Sequence, residues 1–471
     1  MSVTGDETVM TAGARPPSLP GGLPWLGQVL EFRRDPVAFL RRGRDRLGDV
    51  FSFRLAGTRL TALSGLPAQA AFFQAPEDQL SARAAYRFMV AVFGRGVVYD
   101  ASAEDMDAQI GFLLPALRDE RLRAYARVMR EEAETYVERW GDRGEIDLLV
   151  AMNELTVFIA SRCLVGGEFR RAVTEEFARL YHDLEGSVNL LTFLQPRAPL
   201  PSARRRDRAR ARMAALIARI VADRRARGAD AEDFLQTLMG ARYADGRALD
   251  DEQIAGLLLA TVFAGQHTSA VLATWTGVLL LEHGSYLAPV LDEQRDVFGG
   301  GREMTIEALR QLVTLERCVK EAERMHPPLI LLMRRVLRDL PVNGHVVPAG
   351  DIAVVSPAAA HRIPEVFANP DRYDPDRFGP GRQEDRKHRH ALIGFGGGHH
   401  RCIGSTFAYQ QVKAIWSVIL QRFELTLVRH GHTPDYSTFV PGPRAPCLVR
   451  YRRRLREGAG RALVEAAPVR P

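Results

Sequence analysis

The sequence predicts a mainly α-helical domain with a small β-sheet lobe, and three observations predict it. Apolar residues recur at helical spacing in nearly every segment from Pro67 to about Arg335. Just before this stretch the period changes to two, where Phe51, Phe53 and Leu55 alternate with polar residues. One helical pattern then runs for 33 residues, 251–283, which at about 1.5 Å per residue is long enough to cross a whole domain.

Residues 1–24, rich in Pro, Gly, Ser and Thr without a period, are expected to be disordered, as is the tail 457–471, leaving a single domain over 25–456. Asp35 and Pro36 form an N-cap and first-turn proline, Val37, Leu40 and Leu47 follow at helical spacing, and Gly48 closes this helix. The turn Ala56-Gly57-Thr58 between alternating runs predicts a hairpin. The long helix is opened by Asp250, Asp251 and Glu252 at the positive end of its dipole and closed by Gly284. Its interior holds Ala264-Gly265-Gln266-His267-Thr268-Ser269 where burial would favour leucine, so a weakened, bent helix is expected there.

The chain has 471 residues, 46% hydrophobic and 26% charged, enough to bury a large core, which excludes disordered and fibrous classes. The net charge is +7, yet only three of the 64 basic residues are lysines. The densest basic runs, 204–212 and 450–456, lack the interleaved aromatics on which bases stack, so no nucleic-acid partner is expected. The longest apolar stretch, 254–265, is too short to span a bilayer and the start holds no leader pattern, so a cytoplasmic protein without a transmembrane anchor is expected. Four scattered cysteines fit a reducing compartment.

Chemistry concentrates in Phe395-Gly396-Gly397-Gly398-His399-His400-Arg401-Cys402-Ile403-Gly404, which precedes an apolar helical pattern. A cysteine at a helix mouth, beside His and Arg and among glycines, is expected to have its thiolate favoured by the helix dipole, N–H donors and positive charge, as a metal ligand requires. No second cysteine stands at zinc-site spacing. Cys163, Cys318 and Cys447 read as small buried hydrophobes. Glu321 and Arg324 lie at i and i+3 of a helix ended by His326-Pro327-Pro328, and Arg377 stands downstream in Pro375-Asp376-Arg377-Phe378, which would make a satisfied buried charge network.

Taken in order, Ala264-Gly265-x-x-Thr268, Glu321-x-x-Arg324, Pro375-x-Arg377-Phe378 and Phe395-x-x-Gly398-x-x-x-Cys402-x-Gly404 resemble the cytochrome P450 superfamily. The resemblance is strongest to the sterol 14α-demethylase family. It extends to His267 where most members place an acid, to Tyr86-x-Phe88-Met89 with Phe93-Gly94-x-Gly96, and to His326-Pro327-Pro328-Leu329 through Arg334. It implies the haem-thiolate fold, a helical prism with a small sheet lobe, and haem b as cofactor. It implies Cys402 as the iron ligand, Tyr86, Arg334 and His400 holding the haem acid groups, and Ala264 facing the oxygen site. It also implies proton delivery through Thr268, His267 and Glu185, and substrate walls formed by Phe88, Met89, Phe93, Phe263, Leu329 and Phe439. For any one of these apolar side chains, ordinary core packing is an equal reading.

The activity implied is oxidation of a sterol or triterpenoid, with electrons from a ferredoxin and its reductase, expelling a methyl group as formate over three rounds. A hydroxylase of another terpenoid or natural product is the same-class alternative. A haem sensor or electron carrier is a third, though it would not need proton delivery at mid-helix. The chain departs from the family pattern at Gly394, where proline is usual, and at His399, where arginine is usual. Between Ala101 and Leu117 there is no Lys or Arg, only the acids Glu104, Asp105 and Asp107, where the family places basic residues.

Overall fold

The structure, a computed structural model, describes residues 13–172, 180, 183–184, 186, 201–228 and 233–454. Its strands are β1 (Val50–Leu55), β2 (Thr58–Leu63), β3 (Leu80–Ser81), β4 (Arg143–Asp147), β5 (Leu332–Val336), β6 (Leu340–Val342), β7 (His345–Val347), β8 (Ile352–Val355), β9 (Phe423–Leu427) and β10 (Leu448–Arg453). Helices supply the rest of the framework. The lobe is a five-stranded sheet in the order β1-β2-β8-β5-β3, with β4-β10-β9 and β6-β7 as separate small sheets.

The helix Pro36–Leu47 begins where expected, Asp35 accepting from the Ala38 N–H at 2.9 Å, and Gly48 at φ 88° ends it. β1 and β2 pair antiparallel across Ala56 and Gly57, both at positive φ, where the glycine carries no Cβ penalty. Two polar positions of this hairpin do not face water, however: Ser52 and Thr61 are fully buried, while Arg54 is exposed. The reason is that residues 13–24, expected to be disordered, lie along the lobe. Leu19 donates to the Ser52 carbonyl (2.7 Å), Ser52 donates to Pro17 (2.8 Å), and Ala14 bridges to His345. Residues 1–12 and 455–471 lie outside the described residues.

The central helix, Asp251–Glu282, opens with a reciprocal capping box between Asp250 and Gln253. His283 caps its other end, and Gly284, expected to close it, begins the next helix, Gly284–Phe298. The polar interruption does not break it: the helix is continuous through 264–269. Thr268 there donates to the Ala264 carbonyl (2.6 Å), so its hydroxyl is satisfied within the helix. The helix packs against Leu148–Ala160, Val313–Met325 and Ser405–Arg422. Against the last of these Gly277 is obligatory, because Trp416 lies over it and donates to the Ala273 carbonyl (2.8 Å).

Two segments, Leu148–Val165 and Asp251–Glu282, are long and apolar enough to cross a membrane by length and composition. The count of uninterrupted apolar residues missed them because polar and charged residues, Asn153, Glu154 and Arg162 in one and Gln266 to Ser269 in the other, break each run. Most of each apolar window is packed inside the fold, which is why core helices look like this.

Candidate active site

The cysteine loop hangs between a helix that ends in Met325 and the helix Ser405–Arg422. Gly396 and Gly398 adopt positive φ, 72° and 64°, and the loop is pinned by Cys402 N–H to the Phe395 carbonyl (2.9 Å). The glycines also clear space: a Cβ at 397 would lie 3.0 Å from the Phe73 ring, and one at 398 would run into the Phe73 backbone.

Cys163, Cys318 and Cys447 are buried, whereas Cys402 is exposed. Burial pushes Cys318 and Cys447 up to about 12 and Cys163 well above its usual range. Cys402 is also raised, by desolvation, with the Gly404 N–H only partly opposing. An accessible surface on a desolvated thiol describes a side chain facing an internal recess. The expectation of a thiolate favoured by the helix mouth is therefore corrected: burial outweighs Gly404 and Arg401, and deprotonation falls to the cation the thiol would ligate.

A second surface opens into the interior from the central helix. Ala264 is exposed at mid-helix, Phe263, His267 and Thr268 are half-buried, and the residues further along the helix are almost all buried. Glu185, the expected outer partner of His267, lies outside the described residues.

The aromatic candidates form a connected wall. Phe93 meets Phe263 edge-on at 5.8 Å and stacks on Tyr99 at 6.2 Å; Tyr99 stacks on Tyr86 at 5.2 Å; Tyr86 neighbours Phe88 at 5.9 Å, and Phe88 meets Phe439 at 6.2 Å. Met89 and Leu329 belong to the same apolar cluster.

Tyr86, Arg334 and His400 gather around an acid that the sequence reading missed, Glu77. Its carboxylate accepts from His400 Nε2 (3.1 Å), Ser81 Oγ (2.6 Å) and the N–H groups of Ala82 (3.1 Å) and Arg83 (3.2 Å). Burial opposes its ionisation, but these donors prevail and hold it down at about 2. Arg334, 3% exposed, donates to the Phe72 carbonyl (2.6 Å), and burial pushes its guanidinium down to about 10. Tyr86 accepts from the Met333 N–H (3.3 Å) and is raised by burial to about 12. No local pattern marks Glu77; only the fold brings it to His400, 323 residues away.

Behind the loop, Glu321 accepts from Arg324 Nε (2.7 Å) and Nη2 (2.9 Å), from Arg377 Nε (3.0 Å) and from the Asp374 N–H (2.8 Å). Glu384, also missed, takes the second branch of Arg377 at 2.7 Å and, on its other oxygen, Arg382 at 2.7 Å; Arg382 also pairs with Asp374 at 2.7 Å, so three carboxylates balance three arginines. His361 ties this cluster to the loop: its Nε2 accepts from the Ile393 N–H (2.8 Å), which leaves Nδ1 to donate to the Arg324 carbonyl (3.1 Å).

Two of the departures meet each other. His399 pairs with Asp107 at 3.0 Å on the surface, and the neighbouring Asp105 pairs with Arg247 at 3.0 Å. Two acids of the helix Ala103–Leu113, Asp105 and Asp107, thus meet nitrogen donors from elsewhere.

The cytochrome P450 family model matches residues 16–443. The chain belongs to the cytochrome P450 family. It is 40% identical to the sterol 14-demethylase of Arabidopsis thaliana over 93% of this chain and 91% of that protein. It is likewise 40% identical to the sterol 14alpha-demethylase of Mycobacterium tuberculosis over 93% and 98%. In fold it is similar to retinoic acid bound cyanobacterial CYP120A1 (TM-score 0.83, 23% identity, covering 94% of this chain and 100% of that one). As a P450 monooxygenase it works with haem iron and needs redox partners. The residues present fit that group: an accessible thiol in an interior recess, a loop cleared of side chains by glycine, and a buried guanidinium whose desolvation an anion would relieve.

Proposed function

We propose that this P450 is a sterol 14α-demethylase-like monooxygenase, using haem b and electrons from a ferredoxin and its reductase in a cytoplasmic setting. The observation that carries the reading is the 40% identity to sterol 14-demethylases from a plant and a bacterium over nearly the full length of all three chains.

Haem iron, when bound, supplies the activation of dioxygen by electrons. The residues of this chain do the rest. Cys402 holds the iron as thiolate, a ligand that favours O–O cleavage, a role for which P450s are the standing example. Arg334, Tyr86 and His400 hold the acid groups of the haem, the guanidinium recovering through an anion part of what burial costs it. Phe88, Met89, Phe93, Phe263, Leu329 and Phe439 enclose an apolar substrate and exclude water; Ala264 keeps the oxygen side open. Protons arrive through Glu185, His267 and Thr268, the histidine being the side chain suited to exchange near neutral pH. The substrate methyl is oxidised to alcohol, then aldehyde, then leaves as formate, with an alkene in the ring.

A spectral binding titration with 14α-methyl sterols beside other terpenoids tests the substrate. Tight, saturable shifts with the sterols and a formate product are expected; binding confined to other terpenoids overturns the sterol reading. For the proton route, His267→Ala is expected to retain the substrate-induced shift but lose product, reduced oxygen appearing as peroxide. Fully coupled turnover in both His267→Ala and Glu185→Ala removes that route.

A further inference from the structure

Gly394 stands where the P450 pattern has proline, and a buried acid fills the space its missing side chain leaves. A Cβ at 394 would lie 2.6 Å from Cγ and 2.8 Å from Cδ of Glu323. Glu323 sits two residues after Glu321, so it projects to a different face of the helix Val313–Met325, away from the arginine network and toward the cysteine loop. It is 2% exposed, and the Tyr409 hydroxyl donates to its Oε2. Tyr409 in turn packs against Phe395 at the start of the loop, 5.5 Å between ring centroids. The carboxyl is therefore boxed between Gly394 and Tyr409. No part of the chemistry described above uses it.

The charged and titratable groups around it are Lys320 on its own helix, Asp385 (in a pair with Lys320 at 3.2 Å), Arg401 and Cys402 on the loop, and Tyr409 on the following helix. Burial raises the carboxyl to about 7, against the pull of the Tyr409 hydrogen bond, Lys320 and Arg401. A group so balanced is the one that a change of charge nearby will tip.

We propose that Glu323, seated in the gap at Gly394 and held by Tyr409, is a tuning residue for electron uptake, its carboxylate taking up a proton when an electron enters the site behind the cysteine loop. The step balances simply. A one-electron donor protein is oxidised and the iron reduced by that electron, while bulk water supplies the proton that forms a new O–H bond on Glu323. The proposal rests on Cys402 being the iron ligand.

The test is the reduction potential of the holoenzyme, read by spectroelectrochemistry across the neutral pH range after the red-shifted carbon monoxide band has been recorded for each variant. In the native protein the potential is expected to fall as pH rises from about neutrality, approaching about 59 mV per pH unit, the tenfold step of a one-electron couple. Glu323→Gln, nearly isosteric and without a proton to exchange, is expected to be flatter over the same window. Tyr409→Phe removes a donor that stabilises the carboxylate, so its window moves to higher pH. Parallel pH–potential lines for native protein and Glu323→Gln overturn the proposal, and if that variant fails to load haem, an unmoved window in Tyr409→Phe does so. A native protein without the red-shifted band would instead overturn Cys402 ligation, which keeps the two failures distinct.

Discussion

The cysteine loop is tied to two clusters of buried charge, and they differ in how far the protein completes them. The cluster joined through Ile393 is closed: Glu321, Glu384 and Asp374 face Arg324, Arg377 and Arg382, and the remaining branches of the two buried guanidiniums end on the carbonyls of His361, Pro370, Ala368 and Arg372. The cluster joined through His400 has one carboxylate, Glu77, among Arg334, His400 and the phenol of Tyr86, and Arg334 donates to main-chain carbonyls. A closed set of charges can only hold structure; a set with donors in excess has capacity for an anionic ligand. Side chains that build the P450 framework are thereby distinct from those with chemistry left over, and mutation should tell the two apart.

The largest effect belongs to the closed cluster. Removing one member of a buried pair strands the others, at about 3–5 kcal/mol. Glu321→Ala is expected to yield little folded, haem-loaded protein; normal thermal stability with only turnover lost would contradict the assignment. Cys402→Ala should behave oppositely, keeping the fold while the reduced, carbon monoxide-treated protein loses its red-shifted Soret band. Cys163→Ala, buried elsewhere, should leave that band intact.

The link between cluster and loop gives a pH dependence. Burial pushes His361 down to about 3, with the Arg324 charge adding to the effect. In the unfolded chain the imidazole titrates near 6.5. Between these values the unfolded state binds the extra proton, so stability is full above about pH 6.5 and is lost as pH falls toward 3, by about 1.4 kcal/mol per unit for this one group. Urea unfolding of native protein and His361→Gln should therefore converge as pH drops from neutrality. A stability gap that stays constant over that range would show that His361 is not held neutral.

What the sequence revealed, and what it hid, follows from distance along the chain. Asp35 and Pro36 start a helix, Gly57 turns a hairpin and the glycines around Cys402 shape the loop because each acts on its immediate neighbours. Glu321 and Arg324 were legible as a helical pair. Arg377 was legible as their third partner from its motif, but the groups that tie the clusters to the loop were not: His361 reaches Arg324 across 37 residues and Glu77 reaches His400 across 323, contacts that no local pattern encodes. The same limit explains the lobe. Ser52 and Thr61 read as outward-facing, yet Thr61 donates to Asp351, 290 residues on, because β8 and the 13–24 segment cover positions that alternation alone assigns to water. The direction of the Cys402 shift was misjudged for a related reason, since burial is a property of the whole fold.

The smallest effect is expected where both partners remain in water. Asp107 and His399 are each more than half exposed, and they stand where the family pattern has basic residues. A pair in that setting trades little Coulomb energy for side-chain entropy and is screened by salt, so it is worth well under about 1 kcal/mol. A double-mutant cycle of Asp107→Asn and His399→Ala, read by urea unfolding at low and high salt, should give a coupling near zero at high salt, while the carbon monoxide spectrum stays that of the native protein. If the coupling instead matched that of a buried pair and resisted salt, Asp107 and His399 would belong with the closed cluster, and the division between completed and open charge around the loop would have to be redrawn at that point.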